Sequence, residues 1–218
     1  MKQPILIGVD GGGTKTRVLV RRIHEKTLLW EHDYPESNYQ NIGFGAVSAL
    51  FRRILSDLTP LLSGGSQEAV WVMGMAGIDR DSDADAYLEH LRQAGFQGRA
   101  YAYNDAYIAL MGAHGGASGA IVICGTGSIA AGLSASGQIL RSGGWGALAS
   151  DEGSGFRLGV EGIAAVFRAY DGSGPQTALT PILLSQYGRD TVPGLVDVVS
   201  GGDGLPVRAI AEAAPAVV

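Results

Sequence analysis

The sequence contains the same arrangement twice: an apolar strand, a turn rich in glycine, and a second strand. The first copy reads ILIGVDGGGTKTRVLV over 5–20, and the second reads IVICGTGSIAAGLSAS over 121–136. Two strands that follow each other through a short turn pair side by side in antiparallel fashion, so each copy predicts a β-hairpin. A supersecondary unit that occurs twice predicts a chain built of two similar halves.

The elements between the two hairpins alternate between strand and helix patterns. Residues 1–115 predict the order β-β-β-α-β-α-β-α, with apolar residues at helical spacing from Gly43 onward. The second half begins with its own hairpin and a short strand, and then predicts a helix from Phe156 to Tyr170. After Asp171 we expect two or three helical runs, broken by the prolines at 181, 193 and 206. The fold class is therefore α/β, with domains at 1–115 and 116–218.

The glycine turns are candidate phosphate sites. A turn without side chains lets backbone N–H groups approach phosphate oxygens. Thr14 and Thr16 add hydroxyl groups to the first turn, and Lys15 adds a positive charge. The first turn is not a Walker loop, because Thr14 separates the last glycine from Lys15 and because a strand follows instead of a helix. The alternative interpretation is that both are simply tight turns.

Two aspartates follow predicted strands. Asp10 lies at the entrance of the first turn, where a carboxylate can bind the Mg²⁺ ion of a nucleotide, or can cap the turn. Asp105 lies between a strand and a helix, where it can accept a proton from an attacking hydroxyl group, or can cap the helix. The residue pattern leaves both alternatives open.

The segment GGWGALASDEGSG over 143–155 combines glycines, a tryptophan and two carboxylates. An aromatic ring beside carboxylates is typical of a sugar site, because the ring packs on the C–H face and the carboxylates bind the hydroxyls. Trp145 as a core residue, and Asp151 or Glu152 as a helix cap, are the alternatives.

Composition excludes several function classes. The net charge of −5 gives no reason to expect a nucleic-acid or membrane partner. The single cysteine, Cys124, lies in an apolar run, where we expect a buried thiol and no intramolecular disulfide. The N-terminus shows no secretory signal pattern, so we expect a cytoplasmic protein.

The motifs GVDGGGTKT, NDAYIAL, GTGS and GGWGALASDEGSG occur in an order and at intervals that resemble the N-acetylglucosamine and glucosamine kinases of the BadF/BadG/BcrA/BcrD ATPase family. That family belongs to the actin–hexokinase–Hsp70 superfamily. The resemblance covers roughly residues 5–170. It implies two ribonuclease-H-like (actin-like ATPase) domains flanking a cleft, and an ATP-dependent transfer of phosphate to the 6-hydroxyl of an amino sugar.

The resemblance also implies roles for individual residues. Asp105 would be the catalytic base and would also contact the sugar, and Asp10 would bind Mg²⁺. The residues that it implies for ATP are Gly11, Gly12, Gly13, Thr14 and Lys15 in the first turn and Gly125, Thr126, Gly127 and Ser128 in the second. The sugar contacts that it implies, besides Asp105, are Asn38, Gly77, Gly144, Trp145 and Asp151. A homodimer is implied by resemblance only.

Two departures leave alternatives open. Animal N-acetylglucosamine kinases have Ser-Gly-Gly where this chain has Met75-Ala76-Gly77, and a cysteine in place of Ser142, so the choice between acetylated and free amino sugar stays open. Family members are also longer than 218 residues, so the second domain is expected to be incomplete. A hexosamine-binding sensor or inactive truncated kinase is the alternative. A dehydratase activator is a poorer one, because its iron–sulfur cluster needs two thiolates from each subunit.

Overall fold

The computed structural model describes residues 4–62, 66–200 and 206–218. The chain divides into two compact units, Met1–Ala117 and Ser118–Val218. The boundary lies two residues from the one predicted. Each unit contains one β-sheet and its own helices, which makes the fold a mixed α/β fold with two sheets.

The first unit follows the predicted order of elements. Its strands and helices are β1 (Ile5–Gly11), β2 (Lys15–Arg22), β3 (Leu28–Pro35), α1 (Tyr39–Leu58), β4 (Val70–Met75), α2 (Asp81–Gln93), β5 (Arg99–Asn104) and α3 (Asp105–His114). The five strands lie in the order β3-β2-β1-β4-β5. The pairs β1–β2 and β2–β3 are antiparallel, whereas β4 is parallel to both β1 and β5.

One face of this sheet carries the core of the first unit. Side chains alternate between the two faces of a strand, and in β2 the alternation buries Thr16, Val18 and Val20. The helices α1 and α2 pack on this face and bury Phe51 and Tyr87 against the strands. On the opposite face α3 lies so close that its Ile108 fills the space beside Gly74.

Helix α1 begins earlier than the sequence pattern indicates. We expected helical spacing from Gly43 onward, but the helix begins at Tyr39, with the Asn38 side chain accepting a hydrogen bond from the Gln40 amide at its N-terminus. Gly43 has a φ of +73°, which interrupts the regular helix between its first turn and the amphipathic part. The spacing of apolar residues therefore predicts only the part of α1 that follows Gly43.

The second unit contains β6 (Gly119–Cys124), β7 (Ser128–Leu133) and β8 (Ile139–Gly143), which form an antiparallel sheet in this order. Of these strand residues only Ala131 is buried. Val122 is 76% exposed and Leu140 is 52% exposed. The prediction of a buried Cys124 was therefore wrong: the apolar run does form a strand, but among the described residues no layer covers it, and the thiol is exposed.

The helices of the second unit form a separate core around α4 (Gly155–Tyr170), which confirms the helix predicted there. The other helices are α5 (Leu179–Gln186), α6 (Val196–Val199), α7 (Val207–Ala211) and α8 (Ala214–Val217). Pro181 was predicted to break a helix, but it lies in the first turn of α5. Proline is tolerated there because the amides of the first turn have no partner within the helix. Within the described ranges, no helix is both long enough and apolar enough to cross a membrane.

Candidate active site

Three connections of the first unit leave the same edge of its sheet. Gly11 at the end of β1 pairs with Met75 at the end of β4, and Met75 pairs with Asn104 at the end of β5. Because these three strands are parallel, the first glycine turn, the loop containing Gly77 and the residue Asp105 all begin at this edge. In open α/β sheets, ligands bind outside the carboxyl ends of parallel strands.

The first glycine turn is exposed and closed by its own backbone. The Gly12 amide donates to the Lys15 carbonyl at 2.9 Å, and Gly13 and Thr14 are exposed. The Lys15 ammonium lies 3.5 Å from a carboxylate oxygen of Asp33, in an exposed ion pair. The turn thus presents backbone and a hydroxyl group to solvent, while its lysine faces a neighbouring strand.

Thr16 was predicted to add a second hydroxyl group to this turn, but its side chain points inward. It is fully buried, and its hydroxyl donates to the Ser37 hydroxyl at 2.7 Å. Thr16 is therefore part of the support of the turn and not of its exposed surface.

Asp105 is the first residue of α3 and is half-buried. The helix cap is the preceding Asn104, whose side chain accepts from the Ala106 amide at 3.0 Å, although Asp105 Oδ1 accepts from the same amide at 2.8 Å. Burial raises the pKa of the Asp105 carboxyl, and the negative charges of Asp10 and Asp79 raise it further. A carboxylate with a raised pKa at the end of a strand suits a general base.

The exposed Asp10 is the candidate metal ligand. It lies one residue before Gly11 at the sheet edge, near enough to Asp105 for its charge to act on that carboxyl. The part of the chain that the structure describes holds no group of three or more His, Cys, Asp or Glu side chains suited to a metal ion. One carboxylate beside a phosphate turn fits Mg²⁺, which commonly keeps several waters and takes its other ligands from the nucleotide.

Asn38 and Gly77 are in contact, as two predicted sugar-binding residues would be. Gly77 has a φ of +91°, and a Cβ atom on it would lie 2.6 Å from Asn38 Oδ1. The Gln40 side chain also donates to the Gly77 carbonyl, at 3.4 Å. Glycine is required here both for its backbone conformation and for the space that the Asn38 amide occupies.

In the second unit the second glycine turn, Gly125–Ser128, is joined to the segment that leads into α4. The amides of Gly155 and Phe156 donate to the carbonyls of Gly125 and Thr126, at 2.8 and 3.1 Å. The Ser128 hydroxyl donates to the Glu152 carbonyl at 2.8 Å. Beside the turn, the exposed Cys124 thiol donates to the Gly153 carbonyl at 3.2 Å.

Asp151 is the most constrained of the predicted site residues. It is only 7% exposed, has a φ of +65°, and its Oδ1 atom has no hydrogen-bond partner in the structure. Its other oxygen lies beside the second turn, since a Cβ atom on Gly127 would come within 2.7 Å of Oδ2. Backbone strain together with an unsatisfied buried carboxylate oxygen is typical of a ligand site.

Trp145 is not a core residue. It is 66% exposed, and the Arg141 guanidinium lies 4.0 Å above its ring. The preceding Gly144 has a φ of +72° and leaves no room for a Cβ atom beside Ile129. The structure thus brings Gly125–Ser128 and Asp151 together, and separately presents an open indole face.

Comparison with known proteins shows what the chain is similar to. A model of the BadF/BadG/BcrA/BcrD ATPase family matches residues 7–208. The chain belongs to this family. The predicted family resemblance is thereby confirmed, and it extends beyond residue 170, where the recognised motifs end.

The relatives that this chain matches include kinases. An N-acetyl-D-glucosamine kinase of Dictyostelium discoideum is 34% identical over 196 residues, which cover 85% of this chain and 61% of the relative. An N-acetylmuramic acid/N-acetylglucosamine kinase of Clostridium acetobutylicum is 35% identical over 175 residues, with 80% and 57% covered. The chain therefore spans about three fifths of the length of these two relatives.

Solved structures share the fold. The crystal structure of a candidate N-acetylglucosamine kinase from Chromobacterium violaceum has a TM-score of 0.78 at 28% identity, covering 98% of this chain and 73% of the other. A hexokinase from Schistosoma mansoni, at 14% identity and a TM-score of 0.53 over 99% of this chain and 68% of the other, shows a likeness of fold alone. The expected likeness to the hexokinase fold is confirmed.

Proposed function

We propose that this chain carries the phosphotransfer chemistry of an ATP-dependent hexosamine kinase, with the 6-hydroxyl of N-acetylglucosamine or glucosamine as acceptor. The observation that carries this proposal is the sheet edge of the first unit. There the first glycine turn, the Asn38–Gly77 contact and the Asp105 carboxyl follow three parallel strands whose last residues are paired in register. Family membership and the names of the kinase relatives support it.

The reaction that we propose is an in-line transfer. The sugar O6 atom attacks the γ-phosphorus of ATP while the bond from that phosphorus to the bridging oxygen breaks and ADP leaves. Asp105 accepts the O6 proton, and its raised pKa makes it a stronger base than an exposed aspartate. Mg²⁺, held by Asp10 and the phosphates, would neutralise charge on the nucleotide.

The remaining residues bind and orient. Backbone amides of the exposed residues Gly13, Thr14 and Thr126 would donate to phosphate oxygens, whereas the Gly12 amide already donates to the Lys15 carbonyl and the Gly125 amide to the Gly127 carbonyl. Asn38 would bind sugar hydroxyls. Within the second unit, the unsatisfied Oδ1 atom of Asp151 and the exposed ring of Trp145 are the groups that we propose for sugar contacts.

The test is ADP release coupled to a spectrophotometric assay, with Mg-ATP and a panel of N-acetylglucosamine, glucosamine, N-acetylmuramic acid and glucose. We expect release that depends on an amino sugar and is lost in Asp105→Asn. Asp85→Asn is the matched control, because Asp85 is an exposed carboxylate on α2. If no sugar promotes ADP release from the wild-type chain, phosphotransfer is refuted, and sugar binding without turnover would favour the sensor.

We further propose that the second unit is part of a second ribonuclease-H-like domain that is incomplete in this chain. The strands β6-β7-β8 repeat the antiparallel arrangement of β1-β2-β3, but among the described residues no strand lies beside β6 where β4 lies beside β1. Three strands with uncovered faces have little stability of their own. Hydrogen exchange tests this: amides of β6 should exchange much faster than those of β1, and equal protection would contradict the proposal.

A further inference from the structure

Ser37, the residue before the candidate sugar ligand Asn38, is held at three of its polar atoms. Its amide donates to the Gly12 carbonyl at 3.3 Å, and its hydroxyl accepts from the Thr16 hydroxyl at 2.7 Å. Its carbonyl accepts from the Tyr87 hydroxyl at 2.7 Å. Ser37 is fully buried, so none of these bonds competes with bulk water.

Two of these bonds connect Ser37 to the first glycine turn. Gly12 is in the turn, and Thr16 pairs with Gly11 across the hairpin. A Cβ atom on Gly11 would collide with the Ser37 hydroxyl, so the glycine at that position makes room for Ser37 as well as shaping the turn. The segment that carries Asn38 is thus attached directly to the candidate phosphate turn.

Tyr87 holds the same segment from the other side. Besides donating to Ser37, its hydroxyl accepts from the Tyr39 amide at 3.1 Å, so one oxygen atom joins the residues on both sides of Asn38. The Tyr87 side chain comes from α2 and is fully buried. Burial raises the pKa of Tyr87 to about 12, so the hydroxyl keeps its proton and its donor role at neutral pH.

We infer that Ser37 and Tyr87 are positioning residues for hexosamine binding: together they fix Asn38 relative to the first glycine turn. The backbone of Asn38 has little freedom between two residues bonded to one hydroxyl, and its side chain is then directed by the Gln40 amide toward Gly77. Preorganisation of this kind lowers the entropy lost when a ligand binds. The inference rests on the proposed function, since it assigns Asn38 to the sugar.

The test compares Tyr87→Phe with a matched tyrosine. Tyr34 is also buried, and its hydroxyl also donates a 2.7 Å bond, but to Asp57 in the last turn of α1 and not to the segment around Asn38. In Tyr87→Phe we expect the KM for the hexosamine to rise about tenfold, with the KM for ATP and kcat each within about twofold of the wild type, as for the loss of one buried hydrogen-bonding group. In Tyr34→Phe all three should stay near the wild-type values.

Ser37→Ala gives a second, independent readout. It removes the hydroxyl that joins the segment to Thr16 but keeps the backbone bonds to Gly12 and Tyr87. We expect it to raise the KM for the hexosamine and the KM for ATP together, because Ser37 also supports the phosphate turn. Hydrogen exchange should show faster exchange at residues 38–41 in both variants, and not in Tyr34→Phe.

The outcomes separate this inference from the function on which it rests. If the wild-type chain turns over a hexosamine but Tyr87→Phe keeps the wild-type KM and exchange rates, the positioning role is wrong and the kinase assignment stands. If the wild-type chain neither binds nor turns over any hexosamine, both the kinase assignment and the positioning role are wrong. If Tyr87→Phe does not fold, Ser37→Ala decides by the same two readouts.

Discussion

The contact between Gly77 and Asn38 gives the most quantitative prediction. Replacing Gly77 by alanine places a side chain on a backbone with a φ of +91°. Such conformations cost about 1–3 kcal/mol in a residue other than glycine. The new Cβ atom would also lie 2.6 Å from Asn38 Oδ1, which must then leave the Gln40 amide. Loss of a helix cap costs about 1 kcal/mol more.

Gly95 is the control for the cost of placing alanine on a backbone with a positive φ. Its φ is +111°, and a Cβ atom on it would have nothing within 4 Å. Gly95→Ala should therefore show the conformational strain alone, and Gly77→Ala should lose about 1 kcal/mol more of the free energy of unfolding. Adding Asn38→Ala to Gly77→Ala should cost less than the sum of the two single changes, because the collision is then absent.

Urea unfolding followed by tryptophan fluorescence measures these differences. In a Trp145→Phe background the remaining tryptophans, Trp30 and Trp71, both lie in the first unit, so the signal reports that unit. With Trp145 intact, Gly77→Ala should also raise the KM for the hexosamine, whereas Gly95→Ala should not. If Gly77→Ala and Gly95→Ala lower the free energy of unfolding equally and leave the KM unchanged, the Asn38–Gly77 contact contributes to neither stability nor binding.

Three further predictions concern Asp105 and the helical glycines. Asp105→Asn should lower kcat by about 10²–10⁴. It should also raise the free energy of unfolding at pH values above the raised pKa of Asp105, because a carboxyl whose folded pKa exceeds its unfolded value destabilises the fold as pH rises between the two; urea unfolding at several pH values measures this. The wild-type kcat/KM should fall about tenfold per pH unit below the raised pKa of Asp105, and an acidic limb at or below the ordinary value of 3.8 in the pH–rate profile would contradict this. Gly159→Ala should lower the free energy of unfolding of the second unit by about 1–3 kcal/mol, because the new Cβ atom would collide with the Ile210 carbonyl of α7. Gly112→Ala in α3 should raise the free energy of unfolding of the first unit by about 0.5–1 kcal/mol, because its Cβ atom would meet nothing within 4 Å. Thermal unfolding measures both changes.

The sequence predicted the elements of the first unit well because their signals are local. The alternation in β2 and the apolar spacing of α1 each decide one element within a few residues. The wrong assignment of Cys124 shows the limit: an apolar run identifies a strand, but not whether another layer covers it. The inward direction of Thr16 is likewise invisible, because its partner Ser37 is 21 residues away.

The candidate site was predictable as a set of residues but not as an arrangement. The motifs name Asp10 and Asp105 and the family resemblance adds Asn38, yet only the pairing of Gly11, Met75 and Asn104 puts the loops of the first unit at one edge. Tyr87 carries no motif, and its hydroxyl reaches Ser37 across 50 residues of sequence. Supporting contacts of this kind depend on tertiary packing, which cannot be predicted from the spacing of apolar residues in the sequence.

The exposed thiol beside the second glycine turn has a practical consequence. Cys124 is the single cysteine of the chain and directly precedes Gly125, so a maleimide fluorophore or a nitroxide spin label would attach at one position without any engineered mutation. Such a label would sit next to the backbone that is expected to meet nucleotide phosphates. Its emission or mobility would then give a direct optical or magnetic titration of nucleotide occupancy, independent of turnover, with Cys124→Ser as the blank.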